Sequence, residues 1–179
     1  MRSRALKFAL VALAAWLWLA DVGCRRVPVP GPATVRVVRI FDGDTIEVLK
    51  DGRAQRVRLW GIDCPERGQA YANVARRFTG DLAFGQSVVL RSHGTDRYGR
   101  LLAEVILPDG RVLNHELVRA GLAWWYREYA PGASELARLE QEARAGRRGL
   151  WADANPVPPW EFRRSRGART EAPLMRDGR

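Results

Sequence analysis

The chain has 179 residues, a formal net charge of +10, 46% hydrophobic residues and seven tryptophans. That length suits one domain with tails and suffices to bury a real core. The apolar content excludes a chain that stays disordered throughout, and the charge points to an anionic partner without choosing among nucleic acid, an anionic lipid surface and a polyphosphate.

The chain opens on MRSRALK, followed by thirteen apolar residues from Phe8 to Ala20. That run is too short for an ordinary membrane span and fits the core of an export signal, with an N-terminal anchor as the alternative. Residues 1–26 are read as that signal or anchor, which would place the protein outside the cytoplasm, extracellular or periplasmic, with a membrane contact through this segment. Cys24 follows Gly23, the lipidation position in lipoprotein signals, but Asp21 stands where such signals carry an aliphatic residue. Residues 27–32 form a Pro-rich linker in which no helix can run. Cys64 is then a lone thiol, and no metal-type cysteine spacing occurs.

ATVRVVRIF (33–41) is rich in β-branched residues and alternates, so it predicts a strand. DGDT is a turn. TIEVLKDGRAQRVRLWGI predicts a hairpin bending at Lys50–Gly52. From Ala70 to Phe84, Tyr71, Val74, Ala75, Phe78 and Leu82 recur at steps of three and four, the pattern of an amphipathic helix. SVVLRS (87–92) is a strand, and LLAEVILPDGRVL (101–113) a second hairpin. Asn114 is expected to cap a short helix ending near Gly121, and Ser134 a last helix with Leu136, Leu139 and Ala143 on one face. The tail, 152–179, holds Pro156, Pro158, Pro159 and an Arg-rich stretch and is expected to be mostly a disordered, solvated segment. His93 and His115 read as surface or structural; Trp60, Trp124, Trp125 and Trp151 read as core or barrel rim. The order of elements predicts a mainly β fold with α (α+β): a small five-stranded barrel with about three helices, spanning 33–151.

The acidic residues are less easily placed. Asp44 follows Gly43 at one strand end, Asp63 follows Gly61 at another, and Glu66 comes three residues later past Pro65. Arg58 lies five before Asp63, and Arg100 ends a DRYGR turn. If those strand ends meet, like charges converge and need compensation. A hard divalent cation supplies it through carboxylate and carbonyl oxygens. Arginines beyond such an ion suit a phosphate. A metal, a free carboxylate and two arginines make a kit for phosphodiester hydrolysis. Arg58 could equally pair with Asp63 as a structural salt bridge, and Asp42 reads as a turn residue.

DGDT, RLWGIDCPE and DRYGR, in this order and with nineteen residues from Asp44 to Asp63, resemble the thermonuclease (staphylococcal-nuclease-like) family. The likeness runs from about Ala33 to Trp151 and includes GLAWWYREYAP. It implies a five-stranded OB-fold barrel with three helices and a calcium-dependent nuclease of single-stranded DNA and RNA, in which water attacks phosphorus and the 5′ oxygen leaves. Carried over by position, Asp44, Asp63 and the backbone carbonyl of Cys64 resemble the ligands of one Ca2+. Glu66 resembles the general base, Arg58 and Arg100 the phosphate arginines, Arg97 a phosphate-contacting lysine, and Tyr98 and Tyr129 the nucleotide-packing tyrosines. Departures are Cys64 in place of a threonine, a shorter segment after Glu66, and Arg127 at a base-packing tyrosine. The rival reading is a non-catalytic single-strand-binding OB module; keeping all five charged residues favours the enzyme, which is expected to act on DNA or RNA as a monomer.

Overall fold

In a computed structural model that describes residues 33–171, seven strands run β1 (Thr34–Ile40), β2 (Thr45–Lys50), β3 (Arg53–Leu59), β4 (Ile62–Asp63), β5 (Ser87–Thr95), β6 (Leu101–Ile106) and β7 (Trp124–Trp125). Helices are α1 (Ala72–Ala83), α2 (Leu113–Arg119), α3 (Ser134–Ala145) and α4 (Pro159–Glu171), with a 3-10 turn at Gly149–Ala152. The signal, linker and Cys24 readings lie outside the described residues.

Five strands close a barrel in the order β1-β2-β3-β6-β5, antiparallel except where β3 and β6 run parallel. The alternation read in the sequence sends Val35, Val37, Ile46, Val48, Val57, Leu59, Val88, Ala103 and Val105 inward. Each of the valine, isoleucine and leucine side chains contributes about 1.5–3 kcal/mol when fully buried. The alternation slips once: the β1–β2 register shifts between Val37 and Arg39, so Val38 and Arg39 both face outward. The first hairpin bends where expected, with Asp51 and Gly52 both at positive φ. The second is reduced to a single bridge, Ile106 to Val112. Helix α2 begins immediately afterwards, because Leu113, Leu117 and Val118 close the barrel floor.

Three local expectations are corrected. Asn114 does not cap α2; it lies inside the helix, where its Oδ1 accepts the Val105 N–H at 3.1 Å and its Nδ2 donates to Trp60 O at 2.9 Å and Ala103 O at 3.2 Å. Long-range barrel bonds win over a local cap because the side chain is fully buried. Asn114→Ala should therefore lower unfolding free energy by about 1–3 kcal/mol, the desolvation cost of stranded partners, in a denaturant titration; an unchanged midpoint would show that water replaces the amide. Ser134 makes no side-chain cap to α3, whose N-cap is Ala133. Along α1, Tyr71, Ala75, Phe78 and Leu82 pack on the core as expected, with Thr79 and Ala83 buried beside them, and only Val74 departs, being half exposed. Small residues face inward because that face meets the backbone of the Gly43 turn.

The tail also differs from the expectation of a disordered segment: Pro159–Glu171 is helical. Pro159 sits at the first helical position, where its missing N–H costs nothing. Trp160 anchors the helix on an aromatic cluster of Trp124, Trp151 and Tyr126. Among the described residues no helix is long and apolar enough to cross a membrane.

Candidate active site

The turn between β1 and β2 is fixed from three sides. The N–H of Asp44 donates to Asp42 Oδ1 at 3.2 Å, the Leu59 N–H donates to Asp44 O at 2.8 Å, and Thr79 Oγ1 on α1 donates to Gly43 O at 2.6 Å. Gly43 is there for closeness: a Cβ would sit 2.7 Å from Cys64 Sγ and 2.8 Å from Ala75 Cβ. Gly43→Ala is expected to cost about 1–3 kcal/mol through overpacking. Thermal unfolding measures it, and an unshifted Tm would show that Cys64 and α1 yield freely.

This bracing holds Asp44 against the end of β3. Asp63 arrives on β4, which pairs with β7 through Asp63–Trp124 and Ile62–Trp125. The two aspartates are 5% and 1% exposed and share one counterion. Arg58 Nη1 lies 2.5 Å from Asp44 Oδ2, and its Nη2 donates to Asp63 Oδ1 at 2.8 Å. Nη1 is buried and makes no well-angled hydrogen bond, so charge rather than geometry holds it beside Asp44. Burial works against the Arg58 charge, but Asp44 and then Asp63 outweigh it and hold the guanidinium charged. Asp44 also accepts the Cys64 N–H at 2.6 Å and the Thr45 hydroxyl at 3.3 Å. The Cys64 thiol is buried and pushed up by that burial, so it stays neutral.

Glu66 stands further out, its side chain 38% exposed. Its N–H donates to Gln69 Oε1 at 2.9 Å. Arg163 from α4 then joins the outer and inner acids. Its Nη1 donates to Glu66 Oε1 at 2.5 Å, and its Nη2 to Asp63 Oδ2 at 2.9 Å. Burial pushes Asp63 up, against the Arg163 hydrogen bonds that pull it down.

The remaining sequence-derived residues fall into two groups outside this cluster. Arg100 leads into β6, whose Leu102 pairs with Arg58 on β3, so the two arginines come from neighbouring strands. Its Nε donates to Asp96 at 2.7 Å, and its guanidinium lies 5.6 Å from the Tyr98 ring. Among the described residues no ion pair joins Arg100 to Asp44, Asp63 or Glu66. Arg97 lies 4.8 Å from the same exposed Tyr98 ring. Tyr129 is exposed beside Tyr126, which stacks on Trp160. His93 stacks on Trp60 and, with His115, faces Glu104, as structural residues would. Sequence reasoning missed Thr79, Gln69, Trp160 and Arg163. A signal existed for the last two: Pro159, an acidic first turn and aromatics are marks of a helix start.

Among the described residues no three or more His, Cys, Asp or Glu are arranged to hold a metal ion; the acids are drawn onto Arg58 and Arg163 instead. Their chemistry nevertheless suits a hard dication. The donors of Asp44, Asp63 and the Cys64 carbonyl are all oxygens. The carboxyl of Asp42, on a residue at the exposed rim but itself turned in against Asp44, is pushed up to about 7 by loss of water first and by Asp44 second. That displacement reflects burial first and the nearness of the Asp44 carboxylate second, against the pull of Arg58.

The site is thus an OB-type barrel carrying two buried aspartates around an arginine, with a half-exposed glutamate at the rim. The family model described as staphylococcal nuclease homologue matches residues 56–153. A micrococcal nuclease of Shigella flexneri is 43% identical over 171 residues, 89% of this chain and 97% of that protein. An Escherichia coli protein named as an uncharacterized endonuclease is 47% identical over 128 residues, 72% of this chain and 83% of the other. Protein ParB of Escherichia coli is 44% identical over 144 residues, covering 75% and 81%. The chain belongs to the staphylococcal nuclease homologue family, and by that membership is a nuclease, an enzyme of the hydrolase class.

Proposed function

We propose that the chain is a calcium-dependent endonuclease that hydrolyses DNA or RNA, preferring single strands, and acts as a monomer. The observation that carries this reading is Arg58 held between Asp44 and Asp63, with Glu66 at the open edge of the same cluster. Asp44, Asp63 and the Cys64 carbonyl would hold one Ca2+, which when bound neutralises phosphate oxygens and polarises water. Arg58 and Arg100 offer guanidinium donors to the phosphate, each giving up part of its present pairing, with Asp44 and Asp63 for Arg58 and with Asp96 for Arg100. Glu66 takes a proton from the attacking water. The water oxygen bonds to phosphorus as the bond to the 5′ oxygen breaks, and that oxygen leaves as the alcohol after protonation by solvent. Tyr98, Tyr129 and Arg97, all exposed, suit contact with bases and phosphates of an unpaired strand. The basic and apolar start of the chain supports export, with the segment either cleaved or retained as an anchor.

Incubating the full chain with denatured DNA or RNA tests this. Cleavage is expected with calcium, and loss of it with chelator or in a folded Asp44→Ala variant. Chelator-resistant cleavage would remove the metal from the reaction, and tight single-strand binding without cleavage would favour a binding module.

A further inference from the structure

Helix α4 does more than decorate the barrel. Trp160 stacks on Tyr126 with ring centroids 5.3 Å apart and an interplanar angle of 4°, and meets Trp124 edge-on at 5.6 Å. Gln69 ties the helix entry to the catalytic loop: its Nε2 donates to Val157 O at 2.8 Å while its Oε1 holds the Glu66 N–H. Three residues past Trp160, Arg163 reaches across. Its guanidinium contacts Glu66 Oε1 at 2.5 Å, Asp63 Oδ2 at 2.9 Å and Asp63 Oδ1 at 3.3 Å. Beside it a cleft of about 1120 Å³ runs between β7, α3 and α4, with Trp125, Arg127, Glu140, Trp160 and Arg163 on its walls. Arg163 thus stands between this cleft, whose wall it shares, and the Asp63 and Glu66 carboxylates it contacts.

We infer that α4 is an autoinhibitory strap: Arg163 sits on Asp63, a carboxylate of the proposed calcium seat, and on Glu66, the proposed base, and must withdraw before the metal and the attacking water can enter. It rests on the metal-assisted reading of the same carboxylates. One guanidinium covers both oxygens of Asp63 and one of Glu66, the atoms that would otherwise face a dication and its water. A cation on those atoms and a second, divalent cation repel each other, so docking of α4 and binding of calcium oppose one another. The latch is exposed on one side only: the Arg163 and Glu66 side chains are 42% and 38% exposed, whereas Asp63 is buried, so water can compete for the guanidinium from the Glu66 side. A phosphate chain, as a competing anion, would draw the same arginine away.

Calcium titration by calorimetry on the full chain, with hydrogen exchange of the 160–171 amides, tests the strap. Arg163→Gln is expected to bind calcium about tenfold more tightly than the unaltered chain. Arg164→Gln, which loses the same charge on the same helix without touching the acids, should change affinity less than threefold. Calcium should speed exchange of the α4 amides in the unaltered chain and leave Arg163→Gln unchanged. Calcium binding with equal affinity in all three chains would overturn the strap alone. So would equal tightening by both variants, or slower exchange of α4 on adding calcium. Failure of every chain to bind calcium would overturn the strap together with the metal reading.

Discussion

Arg58→Ala is expected to lower turnover by about 10²–10³-fold, the scale seen when one preorganised donor to developing phosphate charge is lost, and to destabilise the fold as well. The second effect follows from burial. Asp44 and Asp63 are almost entirely shielded from water and share this guanidinium. Removing one partner of a buried ion cluster strands the others, at about 3–5 kcal/mol. Arg163 still faces Asp63, so the stranded charge is mainly that of Asp44. A chain of this size should lose about 2–4 °C of Tm for each kcal/mol. Arg58→Lys keeps a charge but not the fork, and should recover stability more than rate. Thermal unfolding beside steady-state kinetics separates the two roles. A variant that keeps both Tm and rate would reduce Arg58 to a bystander; one that loses Tm alone would make it a structural counterion and nothing more.

Glu66→Gln should behave differently. The side chain is 38% exposed, so an isosteric amide strands no buried charge and Tm should move little. Turnover should fall by about 10²–10⁴-fold, the contribution of a positioned general base. Substrate affinity should stay close to that of the unaltered chain, because in the proposed mechanism the arginines, not Glu66, contact the phosphate. Undiminished kcat would eliminate Glu66 as base and direct attention to a solvent-derived proton acceptor. A parallel drop in Tm would mean that the Arg163 contact is structural rather than a latch.

These contrasts also show where sequence reading reached and where it stopped. The barrel was legible because inward and outward residues alternate with the strand period, and because Asp51–Gly52 marks a bend by its backbone preference alone. The meeting of Asp44, Arg58 and Asp63 was legible as a converging set, since all three fall at or beside strand ends. The orientation of Arg100 was not: its partner Asp96 lies four residues back in its own turn, a local pair that competes with the cluster. Asn114 illustrates the same limit. A helix-start asparagine carries a local preference for capping, which three barrel groups overrode once the helix was packed.

By itself the sequence determined which residues line the barrel, which strand ends carry the acids, and the family to which those motifs point, because periodicity, turn chemistry and spacing are properties of neighbouring positions. Only the tertiary structure decided that the proline- and arginine-rich tail turns back as a helix and sets Arg163 on Asp63 and Glu66, about a hundred positions away along the chain. A contact of that span leaves no local pattern. It arises when Trp160 finds the aromatic cluster built by β7 and the 3-10 turn, and a guanidinium is thereby brought within reach of Asp63 and Glu66.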